Sequence, residues 1–158
     1  VLAVGNRAPA FSLVSDTGST IALKDLKGRR VVLYFYPKDD TSGCTTEACE
    51  FRDHWKEVEK KGAVVLGVSP DPLASHIKFK QKYRLPFPLL SDPDHAVADA
   101  YGAWGPKSMY GRTYQGIRRS TFVIGEDGKI LQIFRNVKPK GHAAQVLEAL
   151  EAGPDSSP

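Results

Sequence analysis

The sequence predicts an α/β fold, a central mixed sheet flanked by helices and preceded by an N-terminal β-hairpin. Strand-like and helix-like segments alternate along the chain, which calls for crossover connections between parallel strands. Two strand-like runs, Arg30–Tyr36 and Ala63–Val68, are continuously apolar and β-branched, the pattern of strands buried on both faces. A length of 158 residues, 41% of them hydrophobic and 25% charged, suits one globular unit. Disordered, collagenous and fibrous classes are excluded.

Taken in order, Phe11–Val14 and Thr20–Leu23 flank the turn residues Asp16-Thr17-Gly18, which predicts the N-terminal hairpin. Arg30–Tyr36, bounded by Gly28 and Pro37, is the buried central strand. A loop, Pro37–Gly43, leads into a helical stretch running to Lys61. Ala63–Val68 is the next strand, Leu73–Tyr83 a helix, Leu89-Leu90 a short extended piece, and His95–Tyr101 a helix stopped by Gly102. The following residues read as a long loop. Thr121–Ile124 and Ile130–Phe134 then face each other across Glu126-Asp127-Gly128, and Ala143–Ala152 closes the chain as a helix. A strand–helix–strand unit followed by a hairpin and a helix is the thioredoxin-like arrangement. The domain is expected to span residues 1–152, with 153–158 a disordered tail.

The net charge of +4 raises the question of nucleic acid. Its distribution argues against it: Lys plus Arg against Asp plus Glu is 7 to 7 in residues 1–53, 7 to 6 in 54–106 and 8 to 5 in 107–158. The basic pairs Arg29-Arg30, Lys60-Lys61 and Arg118-Arg119 lack the interleaved aromatics of a base-stacking surface. No apolar run exceeds Val31–Tyr36, far short of the ~20 residues that cross a bilayer. A soluble, cytoplasmic protein is expected, although the chain opens on Val1, so a removed targeting segment stays open. Two cysteines are too few for a disulfide framework. Two thiols five apart suggest redox chemistry or half of a metal site.

In open α/β sheets, reactive groups gather at the carboxyl ends of strands beside helix N-termini, and Cys44 follows such a strand end. Cys44, Ala48, Phe51, Trp55 and Val58 recur at helical spacing and form the face that packs on the sheet. Cys49 shares its face with Asp53, Lys56 and Lys60 and is expected to look towards solvent. In a regular helix an i to i+5 pair is roughly 8.6 Å apart between Cα atoms, beyond the ~7 Å reach of a disulfide. Any bond between the two requires the helix to open. Cys44 alone would pass for a small buried hydrophobe and Cys49 for an incidental thiol. Against that stands the first helical turn, whose unpaired N–H groups and dipole favour a thiolate over a thiol.

The stretch Pro37-x-x-x-Thr41-x-x-Cys44 resembles the peroxiredoxin signature. With Cys49, Tyr34-Phe35-Tyr36-Pro37-Lys38, Gly43-Cys44-Thr45, Leu90-Ser91-Asp92 and Phe122-Val123-Ile124, it is similar to the bacterioferritin comigratory protein, or peroxiredoxin Q, branch from about Val4 to Leu150. The resemblance implies that Cys44 is the peroxidatic cysteine and Cys49 the resolving one, joined as an intramolecular disulfide. It implies that Thr41 and Arg119 hold the peroxide in the loop from Pro37 to Gly43, and that Glu47 orients the arginine. It further implies hydrogen peroxide and alkyl hydroperoxides as substrates, thioredoxin or a similar dithiol as reductant, and a monomer. Many relatives carry proline where Ser42 stands, which here would loosen the loop and supply a possible helix cap.

Lowering a thiol pKa from ~8.5 to ~6 raises the thiolate fraction at pH 7 about 30-fold. The same shift costs roughly 10- to 18-fold in nucleophilicity, so thiolate population alone activates little. Fast reduction needs donors that stabilise the leaving oxygen: the Thr41 hydroxyl, helix N–H groups and the Arg119 fork. Thr41 could equally cap the helix, and Arg119 could be one more solvated base beside Arg118. The rival reading, a thiol-disulfide oxidoreductase, expects Cys-x-x-Cys and a proline ahead of the facing strand. Four residues separate the cysteines, and Ser120 holds the proline's place. His54, His76, His95 and His142 show no paired spacing with the cysteines, Asp92-x-Asp94-His95 reads as a helix start, and no Gly-rich phosphate loop is present. Neither metal nor cofactor is expected.

Overall fold

The computed structural model describes residues 2–152; the expected tail, 153–158, lies outside the described residues. The N-terminal hairpin is β1 (Ser12–Val14) with β2 (Thr20–Ala22), followed by a 3-10 turn at Leu23–Leu26. Then come β3 (Arg30–Phe35), α1 (Ser42–Asp53), α2 (Trp55–Lys60), β4 (Ala63–Ser69), α3 (Leu73–Tyr83), β5 (Leu89–Ser91) and α4 (Ala96–Ala100). The chain ends through β6 (Trp104–Met109), β7 (Arg112–Ile117), β8 (Ser120–Ile124), β9 (Ile130–Arg135) and α5 (His142–Ala152). Five strands form the main sheet in the order β5-β4-β3-β8-β9. β3, β4 and β5 run parallel, while β8 and β9 are antiparallel to their neighbours, so the sheet is mixed as expected.

β3 shows why the sheet has two dry faces. Val32 and Tyr34 point into one apolar cluster, with Ala48 and Phe51 of α1, Val58 of α2, Phe79 of α3 and Val146 of α5. Val31, Leu33 and Phe35 point into the other, with Phe11, Ala98, Tyr101 and Phe122. Alternate residues of one strand thus feed two cores, which accounts for the unbroken apolar run.

Three elements differ from expectation. The helix to Lys61 is two helices, broken at His54, whose backbone (φ −100, ψ 10) leaves the helical region. The long loop after Gly102 is the β6–β7 hairpin, closed by Tyr110 and Gly111 at φ 52 and 77, the left-handed pair that a two-residue hairpin turn requires. α4 begins one residue late, because His95 sits in the left-handed region as its N-cap. The expectation that Asp92 and Asp94 start a helix agrees with the structure: Asp92 accepts the Val97 and Ala98 N–H groups, and Asp94 that of Ala96.

Candidate active site

The end of β3 delivers Pro37, half-buried, into the loop that starts α1. Thr41 is the N-cap residue, with extended backbone, and its carbonyl accepts the Thr45 N–H at 2.8 Å. Its hydroxyl does not cap the helix; it turns back and donates to the Lys38 carbonyl at 2.8 Å. Ser42, expected as a possible cap, is instead the first helical residue. Cys44 follows in the first turn, buried at 2% exposure, the turn whose N–H groups lack intrahelical partners.

Arg119 comes from the link between β7 and β8, and the β3–β8 pairing brings that link beside the first turn of α1. Its Nη2 donates to Cys44 Sγ at 3.3 Å and its Nη1 to Glu47 Oε1 at 2.6 Å. One planar fork therefore joins two residues three apart on the same helix face. Gly43 allows the close approach, since a Cβ there would lie 3.1 Å from Pro139 and 3.2 Å from Arg119 Nη2. Burial pushes the Glu47 carboxyl up to about 7, against the pull of Arg119. Among the described residues its Oε2 has no partner. The Arg119 guanidinium is held above its ordinary value by Glu47 and Cys44, in spite of burial.

Cys49 lies five residues further along the same helix, and both cysteines are free thiols. It is half-buried rather than turned to solvent, and burial pushes its thiol up. The structure thus brings Cys44, Glu47, Arg119 and Gly43 into contact, with Thr41 and Pro37 in the adjoining loop and Cys49 on another side of α1.

Two groups near the site have no sequence signature. Lys107 of β6 donates to the Ile117 carbonyl at 2.7 Å, and its ammonium is lowered by burial and by Arg119, with Cys44 opposing. Its place became visible only with the unforeseen hairpin. Asp39, Asp71 and His76 converge as the one cluster of metal-ligand types among the described residues. Their facing atoms are committed to hydrogen bonds with one another and with Tyr36, Ser69 and Ser75, so the cluster fits a protein network better than an ion. Separations of 32 and 37 residues hid it from motif reading.

A buried thiol in the first turn of a helix, bonded to an arginine fork on a thioredoxin-like sheet, defines a class of cysteine peroxidases, and the chain belongs to it: the AhpC/TSA family model matches residues 4–133. Within that class it is a peroxiredoxin of the bacterioferritin comigratory protein, or peroxiredoxin Q, branch, a thiol-dependent peroxidase. It is 52% identical over 147 residues to a putative peroxiredoxin Bcp of Coxiella burnetii, covering 93% of this chain and 97% of the relative. It is 48% identical to peroxiredoxin Bcp of Bacillus subtilis, covering 94% of each. Among solved structures, Xanthomonas campestris peroxiredoxin Q superposes with a TM-score of 0.86 at 43% identity, over 90% of both chains. A cysteine mutant of Xylella fastidiosa PrxQ gives a TM-score of 0.91 at 38% identity, over 96% of this chain and 97% of that one.

Proposed function

We propose that Cys44 is the thiol that meets the peroxide and Cys49 the one that resolves it. The Cys44 thiolate attacks one oxygen of hydrogen peroxide or an alkyl hydroperoxide; the O–O bond breaks, the other oxygen leaves with a proton as water or alcohol, and Cys44 becomes a sulfenic acid. Cys49 sulfur then attacks Cys44 sulfur, water leaves and a disulfide forms. An external dithiol of the thioredoxin type supplies two electrons to restore both thiols. The observation that supports this reading is the Arg119 Nη2 bond to Cys44 Sγ, a fixed positive fork against the sulfur that would also meet the charge developing on the leaving oxygen.

Glu47 orients that fork. Pro37 starts the loop that faces the peroxide, and Gly43 leaves room for Arg119 beside Cys44. Thr41 enters differently from the sequence reading: its proton is on the Lys38 carbonyl, so the hydroxyl oxygen is free to accept from the peroxide O–H. We further propose that residues 1–152 act as one unit, monomeric and cytoplasmic. Among the described residues no helix is long and apolar enough to cross a membrane. A solved structure of the Xanthomonas campestris bacterioferritin comigratory protein bears on that protein's alkyl peroxide reduction activity, which supports that substrate class here.

The test is peroxide consumption with thioredoxin and its reductase. Cys44→Ser should abolish turnover, and Cys49→Ser should reduce one equivalent and stop, with sulfenic acid found at Cys44 by mass spectrometry. A reactive Cys44→Ser protein beside an inert Cys49→Ser protein would reverse the roles.

A further inference from the structure

The loop between β3 and α1 contains two consecutive aspartates in unusual states, and both are held by the same helix. Asp39 is buried, 6% exposed, and its carboxylate is saturated: Oδ1 accepts the Tyr36 hydroxyl at 2.5 Å, and Oδ2 accepts Ser75 Oγ at 2.8 Å and His76 Nδ1 at 2.6 Å. Its backbone N–H donates to Asp71 Oδ2 at 2.8 Å, and Ser69 Oγ donates to that same oxygen at 2.6 Å. His76 is wholly buried, and its other ring nitrogen lies 2.9 Å from the Leu90 carbonyl. Both ring nitrogens of His76 therefore face oxygen atoms, one on the Asp39 carboxyl and one on the Leu90 carbonyl, which fixes the ring in place.

Asp40 follows in the left-handed region at φ 57, a conformation that a non-glycine residue keeps only when its surroundings over-determine it. Here they do so: Lys82 Nζ and the Tyr83 hydroxyl, at the far end of α3, each donate to its carboxylate at 2.8 Å. Ser75 and His76 near one end of α3 and Lys82 and Tyr83 at the other thus fix the residues that turn the chain into Thr41. By contrast, the Thr41 side chain is held only within the loop, on Lys38.

We propose that Asp39 and His76 are positioning residues for peroxide reduction: with Asp40 they bolt the Pro37–Thr41 loop to α3, so that Thr41 and the first turn of α1 present one fixed pocket beside Cys44. The bolt is anchored on β4, β5 and α3, not on α1, so α1 can open to bring the cysteines together and reclose onto an unchanged loop. This rests on Cys44 being the reacting thiol. A purely architectural network would add stability to the fold with no preference for one reagent; a bolt on this loop acts on a reaction that uses Thr41 and Arg119, and not on one that uses only the sulfur.

The experiment compares two reagents on the same thiol, hydrogen peroxide by stopped flow and iodoacetamide by mass spectrometry, in wild type, His76→Leu, His76→Asn and Lys82→Met. A pocket displaced by about 1 Å should cost roughly ten- to a hundredfold in the peroxide rate. His76→Leu should show that loss with the alkylation rate within about threefold, and His76→Asn, which keeps a donor at the Nδ1 position, should recover much of it. Lys82 is exposed, so Lys82→Met decides the question by the same selective loss if His76→Leu does not fold. Parallel changes in both rates, or peroxide rates within about twofold of wild type in the folded variants, would overturn the proposal. Cys44→Ser is measured alongside: if it still reacts with peroxide, the assignment of Cys44 falls and the proposal with it, whereas an inert Cys44→Ser beside unselective variants rejects the bolt alone.

Discussion

Glu47 sits on the sheet face of α1 with no solvent exposure, one carboxyl oxygen on Arg119 and the other without a partner among the described residues. Removing a carboxylate from water costs several kcal/mol, and a single arginine repays only part of it. Burial therefore raises the carboxyl from its ordinary 4.5 to about 7, with Arg119 working against the rise. Between those two values the folded protein keeps a proton that the unfolded chain has released, so this contribution is complete below about 4.5 and is lost as pH climbs through about 7. Urea unfolding of wild type and Glu47→Gln should show the wild-type advantage shrinking across that window, by at most about 1.4 kcal/mol per pH unit for one group, and level above it. An advantage that stays constant from pH 5 to pH 8, about the range such a titration needs, would mean that Glu47 is ionised throughout, held by Arg119. The ionised form is the one that grips the guanidinium most strongly, so this residue couples the placement of Arg119 on Cys44 to pH.

At the scale of elements, α1 carries both cysteines in one uninterrupted helix of 12 residues. Ideal helix geometry puts their Cα atoms roughly 8.6 Å apart, and a disulfide needs less than ~7 Å. The helix must open when they bond, losing the ties from Arg119 to Cys44 and Glu47. Amide exchange from Thr41 to Arg52 should accordingly accelerate in the disulfide form, while Tyr36–Asp39, fastened to α3, keeps its protection; equal exchange of α1 in both redox states would contradict an intramolecular bond. The face that Cys44, Ala48, Phe51 and Val58 form was legible because 3.6-residue spacing survives the break at His54. The His54 N–H still donates to the Glu50 carbonyl at 3.1 Å, so the register of the face hardly slips and the break leaves no mark on the pattern. The β6–β7 hairpin was illegible for the opposite reason. Its strands contain Gly105, Pro106 and Gly116, and Arg112 to Gln115 are all exposed, so no apolar alternation announces it. Cys44, Cys49 and Thr41 lie within one short stretch and could be read together with Arg119 and Glu47 through a motif. Asp39 and His76 meet only through the packing of α3 on β5, which no local pattern encodes.

For the molecule as a whole, the sheet divides the interior into two apolar bodies, and only one contains α1. Phe51 belongs to that body, stacked on Tyr34 at 5.0 Å, and Phe122 belongs to the other; both are completely buried. Truncating either to alanine in an intact core should cost roughly 3 to 5 kcal/mol. The two costs should respond differently to oxidation. If α1 opens in the disulfide form, Phe51 has already surrendered its packing there, and Phe51→Ala weakens the dithiol form far more than the disulfide form. Closing the thermodynamic cycle, the disulfide becomes harder to reduce, by roughly 60 to 110 mV at about 30 mV per 1.4 kcal/mol for a two-electron couple. Phe122→Ala, whose core is untouched by the opening, weakens both forms alike and should leave the potential within about 10 mV. Redox equilibration of the Cys44–Cys49 pair against dithiothreitol, followed by thiol counting, measures both shifts. Equal potentials in the two variants would show that Phe51 stays packed after oxidation, and the division of the protein into an opening half and a fixed half would have to be abandoned.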